Sequence, residues 1–255
     1  MSNKARRQTW NTSATASLNV LRFPSNTTEA PRFKLATAPA FAPSSYVWEV
    51  TPTQQTGYYT TFFWVRGDNT FIAGTEYAGF HPYPVGGSSG TVHNWEISAR
   101  GFDYITDDNA NDTTVTKGVK YTQAASIEIV GSDYVIKFLW DLPTTTKIIT
   151  YTFATSNYTS APSPMLIWGG NGWASTSENL SGDLGRMKVF SSALSVADLA
   201  SEATNFNSTV TAAGAANLYF GIKGWASNVD LSCDYGTGRS MTWVDSGNKA
   251  TWVSG

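Results

Sequence analysis

Only one stretch of the sequence carries the apolar spacing of a helix. Val196, Leu199, Ala200 and Ala203 recur at i, i+3, i+4 and i+7, and Ser195 stands at the N-cap position with Asp198 three residues on. Elsewhere the apolar residues alternate with polar ones or run in short β-branched and aromatic blocks bounded by Gly, Pro, Asn and Asp. A chain of 255 residues with many short strands and a single short helix is directed towards a two-sheet sandwich.

The strands fall in order. The sandwich is expected to start at Tyr46 with 46–50, followed by 58–65, which is apolar on both faces and therefore central, and by 71–74 and 92–98. Residues 125–130 and 134–140 pair through Gly131-Ser132, a two-residue hairpin with glycine first. Further strands are expected at 147–153, 165–168, 218–222 and 241–244. In 184–190, Met187 and Val189 alternate with Arg186 and Lys188, so one face is expected to pack and the other to be wet. The stretch 77–85, with Pro82 and Pro84, reads as irregular, and 103–114 as a loop rich in Asp and Asn.

The strand, strand, helix unit of L-I-W-G-G from Leu166, G-D-L-G-R-M-K-V-F from Gly182 and S-S-A-L-S-V-A-D-L from Ser191 resembles the C-terminal part of laminin-G-like domains of the concanavalin A-like lectin and glucanase superfamily. N-L-Y-F-G-I-K-G-W from Asn217 and D-Y-G-T-G-R-S-M-T-W from Asp234 resemble that family's closing strand and tail. Cys233-Asp234-Tyr235-Gly236 stands where the family has Asp and Ser ahead of Gly. The resemblance covers about a quarter of the chain and implies an all-β, two-sheet antiparallel jelly-roll sandwich. It leaves function open, because such folds carry lectins, hydrolases, lyases and structural modules alike.

Hydrophobic residues make up 41% of the chain and aromatics 14%, against only 14% charged residues. Thr, Ser and Asn therefore supply most of the polarity. The net charge of -2 argues against a nucleic-acid binder. A lone cysteine, Cys233, rules out an intrachain disulfide framework. The basic residues near the start precede no apolar h-region, and no apolar run is long enough to span a bilayer, so neither a secretory signal nor membrane insertion is expected.

Residues 1–45 differ from the rest. Lys4, Arg6, Arg7, Arg22, Arg32 and Lys34 face a single acid, Glu29, among Pro24, Pro31, Pro39 and Pro43. This composition predicts an extended basic arm with at most short strands, ahead of a sandwich over 46–255. Lys4, Arg6 and Arg7 are its candidate contacts to a neighbouring subunit.

No catalytic constellation emerges. Gly86-Gly87-Ser88-Ser89-Gly90 fits the nucleophile-elbow pattern, but a strand rather than a helix is expected after it. Glu96 lacks the carboxylate partners of a strand-borne glucanase pair, since Ser98 occupies i+2 and Asp103 lies beyond Gly101. His81 and His93 are the only histidines, too few for a histidine zinc site. Asp107, Asn109 and Asn111 place oxygen ligands at the alternation of a calcium loop, but Asp112 replaces its glycine and Gly118 its glutamate, so a hydrated turn is the better reading. No cofactor is otherwise expected, and calcium at the sandwich rim is implied by the resemblance alone. Tyr77, His81, Tyr83, Trp168 and Trp173 are the candidates for stacking on or bonding to a sugar.

These features converge on a non-enzymatic structural or binding protein of a bacteriophage virion: a capsid decoration, head-fibre or tail component. Its partners would be other virion subunits held by the arm, together with surface glycans, in a homo-oligomer or larger assembly. A lectin module is the alternative, and a polysaccharide-cleaving hydrolase or lyase a more distant one.

Overall fold

The computed structural model describes residues 20–23, 33–35, 37–52, 63–66, 79–85, 92–99, 103–106, 114–116, 118–157, 165–168, 182–225, 230–243 and 251–253; 63–66, 79–85, 92–99, 103–106, 114–115, 157, 165–168, 243 and 251–253 are described along the backbone. The strands are β1 (Val20–Phe23), β2 (Phe33–Leu35), β3 (Ser44–Pro52), β4 (Phe63–Arg66), β5 (Gly79–Val85), β6 (Val92–Ala99), β7 (Asp103–Thr106), β8 (Thr114–Thr116), β9 (Tyr121–Val130), β10 (Asp133–Leu142), β11 (Ile148–Ala154), β12 (Met165–Trp168), β13 (Gly182–Phe190), β14 (Leu218–Ile222), β15 (Met241–Trp243) and β16 (Thr251–Val253). Two helices, α1 (Val196–Thr204) and α2 (Ala212–Asn217), lie between β13 and β14.

Every pairing among the described residues is antiparallel. One sheet runs β11-β10-β9-β3-β13-β1-β16 with β14 also on β13, and the other runs β15-β2-β12-β4-β5-β6-β7 with β8 also on β6. Alternation drives the layering: Tyr46, Trp48 and Val50 of β3, Ile136 and Phe138 of β10, and Met187 and Val189 of β13 share one buried cluster with Phe33 and Leu35 of β2 and Met241 of β15. Phe33 bridges the sheets, its ring 6.0 Å from Phe23 and 5.7 Å from Trp225. The result is the expected all-β jelly-roll sandwich.

Several local expectations hold. Ser195 caps α1, its Oγ accepting from the Asp198 amide. Gly131 turns the β9–β10 hairpin at φ +63°, with Val130 opposite Asp133. β12 and β14 begin and end where the residue pattern places them.

Others are corrected. The short strands allowed for in the basic stretch are two, and both join the sandwich: β1 pairs with β13 and β16, and β2 with β12 and β15. Leu21, Phe23, Phe33 and Leu35 are all buried, short alternating runs whose signal is diluted by neighbouring prolines and arginines. The stretch 79–85 is a strand despite its prolines. Pro82 and Pro84 withdraw their N–H groups from one edge only, and the register with β4 extends no further than Phe80. Residues 103–106 pair with β6 rather than forming a loop. A second helix, α2, joins the one expected; its alanine-rich turn lacks an apolar stripe and is started by Thr211, whose hydroxyl accepts from the Gly214 amide.

The largest correction concerns β13. Its face bearing Arg186 and Lys188 is not wet, and Lys188 has no exposed surface. The segment from α1 to α2 covers it, so the first sheet is buried on both sides at β3 and β13. A second apolar cluster, including Val47, Leu139, Phe190, Leu199 and Phe206, fills the layer between sheet and helix.

Candidate functional site

Three of the predicted glycan residues lie on described strands, Trp168 on β12 and His81 and Tyr83 on β5. Register sets Trp168 opposite Phe63 of β4 and Phe33 of β2, and Val65 opposite Phe80 of β5. Position 168 thus has the parity of 80 and 82, while positions 81 and 83 have the other. Tyr77, Trp173, Asp107, Asn109, Asn111, Lys4, Arg6 and Arg7 lie outside the described residues. Among the described residues, no three His, Cys, Asp or Glu side chains gather to hold a metal ion.

The densest chemistry in the described residues is a charged layer on the outer side of β13. It begins with a β-bulge: Leu184 pairs with Val50 and Met187 with Trp48, so Gly185 and Arg186 are accommodated within one step of β3. Gly185 is required there, because a Cβ would stand 2.8 Å from Glu49 Cβ. Its carbonyl accepts from the Trp225 indole N–H at 2.7 Å. The Arg186 amide donates to Glu49 Oε2 at 3.2 Å.

Glu49 is 2% exposed and is the hub of the bulge. The Arg186 guanidinium grips it with Nε 2.7 Å from Oε2 and Nη2 2.6 Å from Oε1, and Lys120 Nζ reaches Oε1 at 3.0 Å. Burial alone would raise the Glu49 pKa, but the hydrogen bonds and charge of Arg186, with Lys120, hold it below the ordinary carboxylate value. On its far side Arg186 stacks on Phe206, guanidinium carbon 4.7 Å from the ring centroid.

Two residues along the strand, Lys188 enters a closed cage. Its Nζ lies within hydrogen-bond distance of Glu202 Oε2 (2.5 Å) and of the carbonyls of Glu202 (3.1 Å), Asn205 (2.6 Å) and Ser208 (2.8 Å). The other Glu202 oxygen accepts from the amides of Val210 and Thr211 and from the Thr211 hydroxyl, at 3.0, 2.8 and 2.8 Å. Burial pushes the Glu202 carboxyl up, yet Lys188 and Thr211 outweigh it and keep the group below its usual range. The Tyr235 hydroxyl donates to the Phe206 carbonyl, and its pKa is raised by burial first and then by Glu202 and Asp234.

Chemically this layer is a clasp. The four residues from α1 to Ser208 and the start of α2 are tied to a strand by one lysine and one glutamate, and each carboxylate is held ionised by cations and amides. Sequence reading missed Glu49 and Glu202 and misplaced Lys188. The available signal was a Lys and an Arg on a strand of a chain with so few charges, which asks for buried counter-ions.

No protein-family model matches the sequence, and no curated protein matches it. Among solved structures, the native heptameric SAP-like pentraxin of Limulus polyphemus matches with a TM-score of 0.51 and 13% identity, over 73% of this chain and 82% of its own. The fold is a lectin-like jelly roll. The enzymatically active domain of tailspike protein 2 from bacteriophage CBA120 matches with a TM-score of 0.50 and 14% identity, over 83% of this chain but 33% of that chain. This chain therefore spans about a third of that tailspike chain. At these identities the likeness is one of fold. No helix among the described residues is long and apolar enough to cross a membrane.

Proposed function

We propose that the protein is a non-enzymatic structural and binding component of a bacteriophage virion, a capsid decoration, head-fibre or tail protein built on a laminin-G-like sandwich. Its N-terminal basic segment holds a neighbouring subunit and its sandwich faces outward, towards surface glycans. One observation carries the non-enzymatic part: each buried charged residue among the described residues, Glu49, Asp183, Lys188 and Glu202, is spent in an ion pair that ties one chain segment to another. Glycoside cleavage needs a carboxyl whose pKa is raised to serve as acid, whereas Glu49 and Glu202 are shifted the other way. The fold shared with a phage tailspike domain supports the virion setting.

The test has two arms. Purified protein is incubated with a panel of bacterial polysaccharides, with and without calcium, and scored for retention and for new chain ends. Retention without new ends is expected; new ends overturn the reading, and calcium-dependent retention with no assembly favours a lectin. In parallel, a chain lacking residues 1–19, which leaves β1 intact, is compared with the full chain by sedimentation. Loss of the higher assembly is expected, and an unchanged assembly removes the arm from the proposal.

A further inference from the structure

The first sheet ends in a strand whose outer edge has no partner among the described residues. β11 pairs with β10 through seven consecutive register positions, from Ala154 opposite Asp133 to Ile148 opposite Leu139, and it is the terminal strand of the sheet. Such an edge presents a row of backbone N–H and C=O groups, and natural edges are normally blunted by charge, proline or a bulge. β11, Ile148-Ile149-Thr150-Tyr151-Thr152-Phe153-Ala154, has none of the three. Lys137, opposite Thr150 on β10, is paired with Glu128 at 2.8 Å, and Lys147, just ahead of the strand, with Asp141 at 2.5 Å.

The sequence of the strand says what fits it. About Tyr151, the flanking residues mirror one another: Thr150 and Thr152 are both exposed and Ile149 and Phe153 both buried. An antiparallel copy centred on Tyr151 would set Thr150 against Thr152, Ile149 against Phe153 and Ile148 against Ala154. Like meets like on both faces, with no charge opposed to charge. Threonine pairs and aromatic to β-branched pairs are favourable cross-strand neighbours, and a shift by one residue would set threonines against the buried row.

We infer that β11 is a homodimerisation edge, pairing with β11 of a second copy about a two-fold axis at Tyr151 to join two first sheets into one continuous sheet. The inference does not rest on the virion reading, and removal of residues 1–19 should leave this pairing in place.

The experiment uses the full chain. Sedimentation velocity over a concentration series is combined with hydrogen exchange of the amides of residues 148–154. Wild type should show a reversible dimer step, with protection at 148–154 rising as the dimer forms. The variant T150K/T152K puts lysine against lysine across the axis and should weaken that step by about a hundredfold, as should T150E/T152E with glutamates. Mixing the two variants should restore it, because each Lys then faces a Glu. A wild type whose 148–154 amides show no concentration-dependent protection overturns the inference, whatever the variants do. So does a dimer that survives both charge variants, or two weakened variants that fail to recombine.

Discussion

Lys188 Nζ and Glu202 Oε2 lie 2.5 Å apart, and neither side chain is exposed to solvent. One belongs to the central strand β13 and the other to α1, so the pair fixes the helical layer on the outer face of the sheet. Arg186, two residues before Lys188, lies over the Phe206 ring that packs beneath the same segment. The sandwich is thus three layers thick at this point, and its middle sheet carries charges where a two-layer protein would carry water.

Breaking the pair from one side should be costly. Glu202→Ala leaves a buried ammonium with carbonyls alone and frees the amides of Val210 and Thr211. We expect a loss of about 3–5 kcal/mol in urea unfolding. A loss under about 1 kcal/mol would put the pair in the class of surface bridges and refute the clasp.

Gly214 should defy helix propensity. It lies inside α2, where Ala is ordinarily better by about 1 kcal/mol. Here a Cβ would run into the Glu202 carboxylate and stand 2.8 Å from Thr211 Oγ1. Gly214→Ala is expected to destabilise by about 1–3 kcal/mol, while the reverse change at exposed Ala215, Ala215→Gly, costs about 1 kcal/mol. Paired melting curves check the sign; a stabilised Gly214→Ala protein would show that the carboxylate is not where the clasp requires it.

The contrast between legible and hidden parts follows from the range of the forces involved. The α1 cap, the Gly131 hairpin and the strand at 165–168 are set by residues within a few positions, and these could be read directly. The alternation of Met187 and Val189 correctly gave the packed face of β13. What covers the other face could not be read, because Glu202 is 14 residues from Lys188 and Glu49 137 residues from Arg186, and their pairing exists only once the chain has folded. β1 and β2 could be allowed for only as short strands without bounds or partners, because three- and four-residue strands carry too few alternations to stand out among arginines and prolines. Register between strands is likewise not encoded by spacing within one segment, so the parity of positions 81 and 83 against 168 follows only from the pairing of β12, β4 and β5.

The cap of α1 can be tested without touching the clasp. Ser195 Oγ accepts from the Asp198 amide at 3.1 Å. Ser195→Ala should cost about 1 kcal/mol, and Ser195→Thr should recover most of it. Equal stability of all three proteins in thermal unfolding would mean that α1 is held by packing alone.

Acid should act through the two buried carboxylates. Glu49 and Glu202 both have pKa values lowered from 4.5 in the folded protein: burial works against this, and Arg186 and Lys188 respectively overcome it. Below 4.5 the unfolded chain therefore takes up protons that the folded chain refuses. The stabilisation is complete above the unfolded value and is lost as pH falls from there through the folded values. Urea midpoints should be flat from about pH 7 to about pH 6 and then decline steeply below about pH 4.5. Glu49→Gln removes one of the two titrations, so it should be less stable at neutral pH and less sensitive to acid. The two midpoint curves must converge as pH drops; curves that stay parallel would show that Arg186 and Lys120 do not hold Glu49 as an anion.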